Sequence, residues 1–230
     1  MPDARPIMAV IVEAAVESLD DALAAVAGGA GRLELCENLD NGGTTPSAVL
    51  LAAVRVRVEV PLLVMIRPRG GSFVYSETEL SRMCEDIALA RALGASGVVL
   101  GVLDSFGRLD LERTAALVEA AEGIPVTFHR AIDEVARRVV AMDALAALGV
   151  ARVLTSGGAK SASEGIDELR AMVERAGDRM TVVAGGGVRA DNARAIVERS
   201  GVREVHARCS GDSARIRGIV EAVNYDASRK

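Results

Sequence analysis

Four segments of this sequence share one pattern: G-A-G-R-L-E-L-C (29–36), G-A-S-G-V-V-L-G (94–101), G-V-A-R-V-L-T-S (149–156) and G-V-R-E-V-H-A-R (201–208). In each, a glycine and three linker residues lead into a short apolar stretch typical of a buried strand. Glycine ends helices readily because it adopts the left-handed conformation without a Cβ clash. Each segment therefore predicts a join between a helix and the next strand, and the joins begin 65, 55 and 52 residues apart.

A second set of apolar segments lies between these joins, at 7–13, 61–67, 125–130 and 180–185. Two of them begin with proline, Pro61 and Pro125, which is tolerated at the first position of a strand. Interleaving both sets predicts eight strands at a mean spacing of about 29 residues. Amphipathic stretches between the strands predict helices at 18–28, 46–58, 77–93, 110–122, 137–148, 163–176, 189–200 and 211–223, with N-caps expected at Ser18, Ser47, Ser76 and Asp110.

Eight alternating strand and helix units predict an α/β fold, a closed (β/α)8 TIM barrel, forming one domain over residues 1–230. The alternative is an open, doubly wound sheet, which the even spacing disfavours. The long loop 68–76 (P-R-G-G-S-F-V-Y-S) admits two interpretations. It is either a lid hinged at Gly70 and Gly71 or a packed surface loop.

The composition excludes several classes of function. The net charge is -5 and there is no basic run, which argues against binding to nucleic acid or to an anionic membrane surface. Lys160 and Lys230 are the two lysines, so Schiff-base chemistry is not expected. Three cysteines, no signal-peptide pattern and no long uncharged apolar window predict a cytoplasmic protein without membrane spans.

Polar residues at the carboxyl ends of barrel strands are the expected site of chemistry in this fold. They are Glu13, Glu34, Arg67, His129 and Arg130, with Asp133 close behind. A charge inside a barrel is costly unless it is paired, so a rim of structural ion pairs is the alternative for any single residue.

Histidine is the usual acid or base near neutral pH, and the chain has two, both near strand ends. We expect His129 to act, oriented by Asp133 or by a glutamate. His206 is the weaker candidate because the E-V-H sequence (204–206) is compatible with a rim ion pair.

A glycine run follows the seventh strand, at Gly185, Gly186 and Gly187. Glycine lets backbone N–H groups approach an anion, and a helix expected from position 189 would add its positive end. Together with donors after strands 6 and 8, the run predicts an anion site, with tight turns as the alternative. The further donors are Ser156, Gly157, Ser210 and Gly211.

Several motifs in chain order resemble the CutC family. They are E-L-C-E-N-L-D-N-G-G-T-T-P-S (34–47), V-M-I-R-P-R-G-G (64–71), T-F-H-R-A-I-D (127–133), L-T-S-G-G (154–158), A-G-G-G-V (184–188) and E-V-H-A (204–207). The resemblance implies a TIM barrel, a cytoplasmic location, self-association and a link to copper homeostasis.

The same resemblance implies Cu(I) binding by two cysteines in some members. Cys36 matches one of them. The other belongs to an E-V-C-V-D-S motif that reads E-A-A-V-E-S (13–18) here, with Ala15 in place of the cysteine. From the residues alone, Cys36 is a buried free thiol or one ligand of a metal site shared with Cys209 or a histidine.

Two functions stay open from the sequence. The first is a copper-homeostasis protein whose ligand is Cu(I). The second is a barrel enzyme acting on a small phosphorylated or carboxylated metabolite, in which Arg67 and Arg130 hold the anion, His129 is the acid or base, and Glu13 and Glu34 are its partner carboxylates.

Overall fold

In a computed structural model that describes residues 9–224, eight parallel strands close into a barrel in sequence order. The strands are β1 (Ile11–Val16), β2 (Arg32–Leu35), β3 (Leu62–Met65), β4 (Gly97–Leu100), β5 (Val126–Phe128), β6 (Arg152–Thr155), β7 (Thr181–Ala184) and β8 (Glu204–Arg208). β8 pairs with β1, which confirms the closed barrel.

A helix follows each strand and covers the outside of the barrel. The helices are α1 (Leu19–Ala27), α2 (Ala48–Arg55), α3 (Glu77–Ala92), α4 (Leu111–Ala120), α5 (Arg138–Ala147), α6 (Ile166–Ala176), α7 (Ala193–Ser200) and α8 (Ser213–Val223). All four predicted N-caps are confirmed, since the side chains of Ser18, Ser47, Ser76 and Asp110 accept backbone N–H groups of the first turn. No helix within residues 9–224 is long and apolar enough to cross a bilayer.

The first strand differs from the prediction of 7–13. β1 runs from Ile11 to Val16, and positions 7 and 8 lie outside the described residues. Its apolar second half extends the strand because it pairs with β2 and β8 at once. Glu13 therefore lies in the middle of β1 instead of at its end.

The loop at 68–76 is packed against its neighbours. Arg69 donates to the carboxylate of Glu79 and to backbone carbonyls within the loop. Tyr75 is buried, and the backbone carbonyl of Phe73 accepts the N–H of Leu103. The loop thus presents Phe73 to the carboxyl ends of the strands.

Candidate functional site

A cavity of about 570 Å³ opens at the carboxyl ends of the strands. Its wall includes seven of the predicted catalytic and anion-binding residues, namely Glu34, Arg67, His129, Arg130, Asp133, Gly186 and Gly187, together with His206, Phe73 and Arg208. The strand-end rule therefore brings most of the predicted side chains to one place.

On one side of the cavity, His206 lies between two carboxylates. Its Nδ1 is 2.8 Å from Oε1 of Glu13, and its Nε2 is 3.5 Å from Oε2 of Glu34. The strand register explains the first contact, because Glu13 and His206 are paired across β1 and β8. Burial opposes the charged imidazole, but the two carboxylates outweigh it and raise the pKa of His206.

Below His206, away from the cavity, a layer of buried charge fills the barrel interior. Arg32 donates to Glu13 and to Glu204, and Arg152 lies 3.5 Å from the same Glu204 carboxylate. Each of these side chains shares the inward face of its strand with a cavity residue two positions on. Arg32 and Arg152 were not predicted as site residues because they begin their strands. Their inward parity was the available signal.

Glu13 and Glu34 have different pKa values because their charged neighbours differ. Burial alone would raise the pKa of Glu13, but the hydrogen bond from His206 and the charge of Arg32 lower it to about 2. Burial raises the pKa of Glu34 to about 7, since the charge of His206 only partly offsets it and the charge of Glu13 adds to it. Glu34 is therefore the carboxyl at the cavity that exchanges a proton near neutral pH.

On the opposite side, His129 follows β5 and lies beside Arg67. Its Nδ1 accepts the backbone N–H of Ala131 at 3.2 Å, so the ring proton of the neutral form is on Nε2. Burial and the charge of Arg67 lower the pKa of His129 to about 3. The neutral ring is a hydrogen-bond donor through Nε2, and its Nδ1 is already occupied by Ala131. The acid or base role expected of His129 stays a prediction.

Asp133 does not orient His129, contrary to expectation. Its carboxylate accepts from Thr155 Oγ1 and from the backbone N–H of Ser156 and Gly158, and it pairs with Arg130 at 2.8 Å. These bonds fix the loop after β6. Asp133 therefore positions this loop and the Arg130 side chain.

The predicted anion donors divide into two groups. Gly186 and Gly187 line the cavity. Gly186 has φ of +98°, and a Cβ there would lie 3.4 Å from the Arg130 guanidinium, so both the backbone and the side-chain contact favour glycine. The glycine run therefore reaches the cavity through Gly186 and Gly187, and anion binding there stays a prediction.

The other donors do not face the cavity. Three of their backbone N–H groups already have acceptors within the protein. Ser156 donates to the Asp133 carboxylate, Gly157 to the Thr155 hydroxyl, and Gly185 to the Thr155 carbonyl. Ser210 and Gly211 are exposed, and a Cβ on Gly211 would lie 3.5 Å from the Asp21 carboxylate, an unfavourable neighbour for an anion. α7 begins at Ala193, four residues later than predicted, so its N-terminus is not at the glycine run.

The sequence comparisons decide the family. A model of the CutC family matches residues 10–211 of the chain. The chain belongs to the CutC family.

CutC family relatives and a solved structure agree with this assignment. The copper homeostasis protein cutC homolog of Mus musculus is 44% identical over 91% of this chain and 76% of its own length. A CutC family protein of Xanthomonas campestris is 47% identical over 88% of this chain and 85% of its own. The crystal structure of CutC from Streptococcus agalactiae has a TM-score of 0.83 at 36% identity, covering 90% of this chain and 99% of that one.

The CutC family cysteines fit a two-thiolate metal site poorly in this chain. Ala15 lies in the cavity wall, where the resembling motif has a cysteine. Cys36 is fully buried against Leu63, Met65 and Val99, and burial and the Glu34 charge raise the pKa of its thiol well above the ordinary value. Among residues 9–224, no three His, Cys, Asp or Glu side chains form a group that could hold a metal ion.

Proposed function

We propose that this chain acts in copper homeostasis, the role named for its Mus musculus relative, and that it does so in the cytoplasm. The 44% identity to the Mus musculus protein over 91% of the chain supports this proposal. Loss of the gene from its source cell is expected to change copper tolerance, and re-expression of the chain is expected to restore it. Unchanged growth across a copper series in the deletion strain would contradict the proposal.

Direct binding of Cu(I) is a separate part of the proposal, and it depends on Cys36. A buried thiol with a raised pKa gives up its proton reluctantly, which weakens it as a ligand. Copper content measured after purification under reducing conditions tests this part. Stoichiometric Cu(I) that disappears in Cys36→Ser and persists in Cys84→Ser would support binding, whereas copper below stoichiometry in both would oppose it.

A specific observation favours a second candidate function, an enzyme acting on a small anionic metabolite. It is the pair of Glu34 and His206, 3.5 Å apart at the wall of an arginine-lined cavity. Glu34, with a pKa of about 7, would donate or accept a proton, while Glu13 holds His206 in place. Arg67 and Arg130 would hold the anion, and His129 would donate a hydrogen bond to it.

Thermal stabilisation tests the second candidate. A library of phosphorylated and carboxylated metabolites is expected to contain compounds that raise the melting temperature of the wild type but not of Arg67→Met, because ligands stabilise only the state that they bind. A library without such a compound would oppose the enzyme function.

We also propose that the chain self-associates, which light scattering of the purified protein can measure.

A further inference from the structure

Three polar atoms on side chains of the cavity wall that are 5% exposed or less have no hydrogen-bond partner among the described residues. They are Oε1 of Glu34, Nε of Arg67 and Nε2 of His129. The three residues are 2%, 5% and 4% exposed, so bulk water does not solvate them as it would a surface group. Buried polar atoms are paired in most proteins, and unpaired ones at a cavity indicate what a ligand supplies.

Two of these atoms are donors. The proton on Nε2 of His129 follows from the bond that Nδ1 accepts from Ala131. Arg67 donates from its terminal nitrogens to the carbonyls of Asn41, Gly43 and Gly71, at 2.9–3.1 Å, and Nε is left over. Neither donor atom has an acceptor within hydrogen-bond distance among the described residues, and both residues line the cavity.

Within residues 9–224, no carboxylate forms an ion pair with Arg67. Its neighbours are neutral carbonyls, the neutral Tyr75 hydroxyl and the ring of Phe73, whose centroid lies 4.8 Å from the guanidinium carbon. Phe73 also contacts His129, and the centroids of these two rings are 4.8 Å apart. Arg67 and His129 thus frame an apolar corner with one uncompensated charge, which suits an oxyanion.

The third atom needs a different group. Glu34 lines the cavity, and its side chain interacts with the Cys36 thiol, which is a weak donor. A hydroxyl pairs with a carboxyl in either protonation state, because it both donates and accepts. A second anion at this position would be repelled by the carboxylate.

We infer that the cavity binds a hydroxylated organic anion, with a carboxylate or phosphate oxygen against Arg67 and His129 and a hydroxyl against Glu34. The inference rests on the proposed enzyme function, and it narrows the substrate class. The remaining wall, at Arg130 and Gly186, leaves room for the rest of a metabolite-sized molecule in a cavity of about 570 Å³.

Two probe pairs test the inference by calorimetric titration of the full chain. Glycerate is compared with propionate, and glycerol 3-phosphate with propyl phosphate, since each pair differs in hydroxyl groups at the same anionic group. In at least one pair the hydroxylated probe is expected to bind at least about tenfold more tightly, and that pair identifies the anionic group as carboxylate or phosphate.

Variants assign the contacts. Glu34→Met is expected to abolish the preference for hydroxyl, while Glu34→Gln keeps part of it. Arg67→Met is expected to weaken both members of a pair at least about tenfold, while Arg67→Lys restores part of the affinity. Glu112→Gln and Arg57→Gln, both exposed, are matched controls that leave binding unchanged. Circular dichroism establishes that each variant is folded.

The outcomes separate the two proposals. Equal affinity within both pairs overturns the hydroxyl contact and leaves the anion site of the proposed enzyme standing. Tight binding that survives in Arg67→Met overturns the placement of the anion. Failure of all four probes to bind the wild type counts against both proposals.

Discussion

The two walls of the cavity shift the pKa of a histidine in opposite directions. On the wall formed by β1, β2 and β8, His206 lies between Glu13 and Glu34, and its pKa is raised. On the wall formed by β3 and β5, His129 lies beside Arg67, and its pKa is lowered to about 3. Both histidines line the same cavity, so their position at the carboxyl side of the barrel does not decide their protonation. The neighbouring charge does.

The largest expected effect tests the His129 wall by pH. A histidine whose folded pKa is below its unfolded value stabilises the fold above pH 6.5, and this stabilisation is lost as pH falls towards 3. The loss amounts to about 5 kcal/mol from this group. We expect His129→Gln to flatten the fall in unfolding free energy between pH 6.5 and 3, measured by urea denaturation.

His206→Gln is the matched control with the opposite sign. The raised pKa of His206 means that its contribution is present below pH 6.5 and is lost as pH rises through the folded value. Parallel pH profiles of the two variants would show that the walls do not differ.

The second effect tests the charge layer beneath His206. Arg32→Met leaves Glu13 and Glu204 buried without their shared cation, which is expected to cost about 3–5 kcal/mol in unfolding free energy. Arg91→Met, which breaks the more exposed pair with Glu122, is expected to cost less than about 1 kcal/mol. Equal losses in chemical denaturation would contradict the importance of the buried layer.

The third effect addresses the position of His129. A Cβ at Gly101 would lie 2.5 Å from Nδ1 of His129, so Gly101→Ala must displace the ring. We expect a loss of about 1–3 kcal/mol and a His129 proton resonance that titrates at higher pH, as the ring moves towards water. Gly107→Ala has open space around its Cβ but a φ of +70°, so it measures separately the cost of backbone strain, which Gly101→Ala does not incur. An unchanged resonance in Gly101→Ala would show that the ring has another position available.

The smallest effect concerns Phe73, which contacts both residues of the His129 wall. Phe73→Leu keeps an apolar side chain but removes the ring from Arg67 and His129. The expected loss is about 1 kcal/mol, with no change in the pKa of His206. Nuclear magnetic resonance titration of both histidines measures this selectivity, and a shift at His206 would argue for coupling between the walls.

The barrel was predictable because the relevant signals are local. Glycine at the joins, N-cap side chains and runs of apolar residues all act over a few positions, and the N-caps Ser18 and Ser76 were correct. The start of β1 was not predictable in the same way. Its extension to Val16 depends on pairing with two strands, one of them distant in sequence.

The site was predictable as a location but not as a set of roles. Strand-end position identified Glu34, Arg67 and His129 as cavity residues. It could not rank the histidines, because the partner of His206 is Glu13, 193 residues away, and the contact depends on barrel closure and register. Strand-end position also could not show that the Asp133 carboxylate accepts hydrogen bonds from the loop after β6.

The shared cation of the charge layer limits how this sequence can change. Arg32 serves Glu13 and Glu204 at once, and Glu13 in turn holds His206. A single substitution at any of these positions strands a charge, whereas concerted replacement by apolar residues of similar volume need not. A descendant of this chain would therefore replace the charged barrel centre by an apolar one only through several linked substitutions. His206 would lose the hydrogen bond that orients it once Glu13 is replaced.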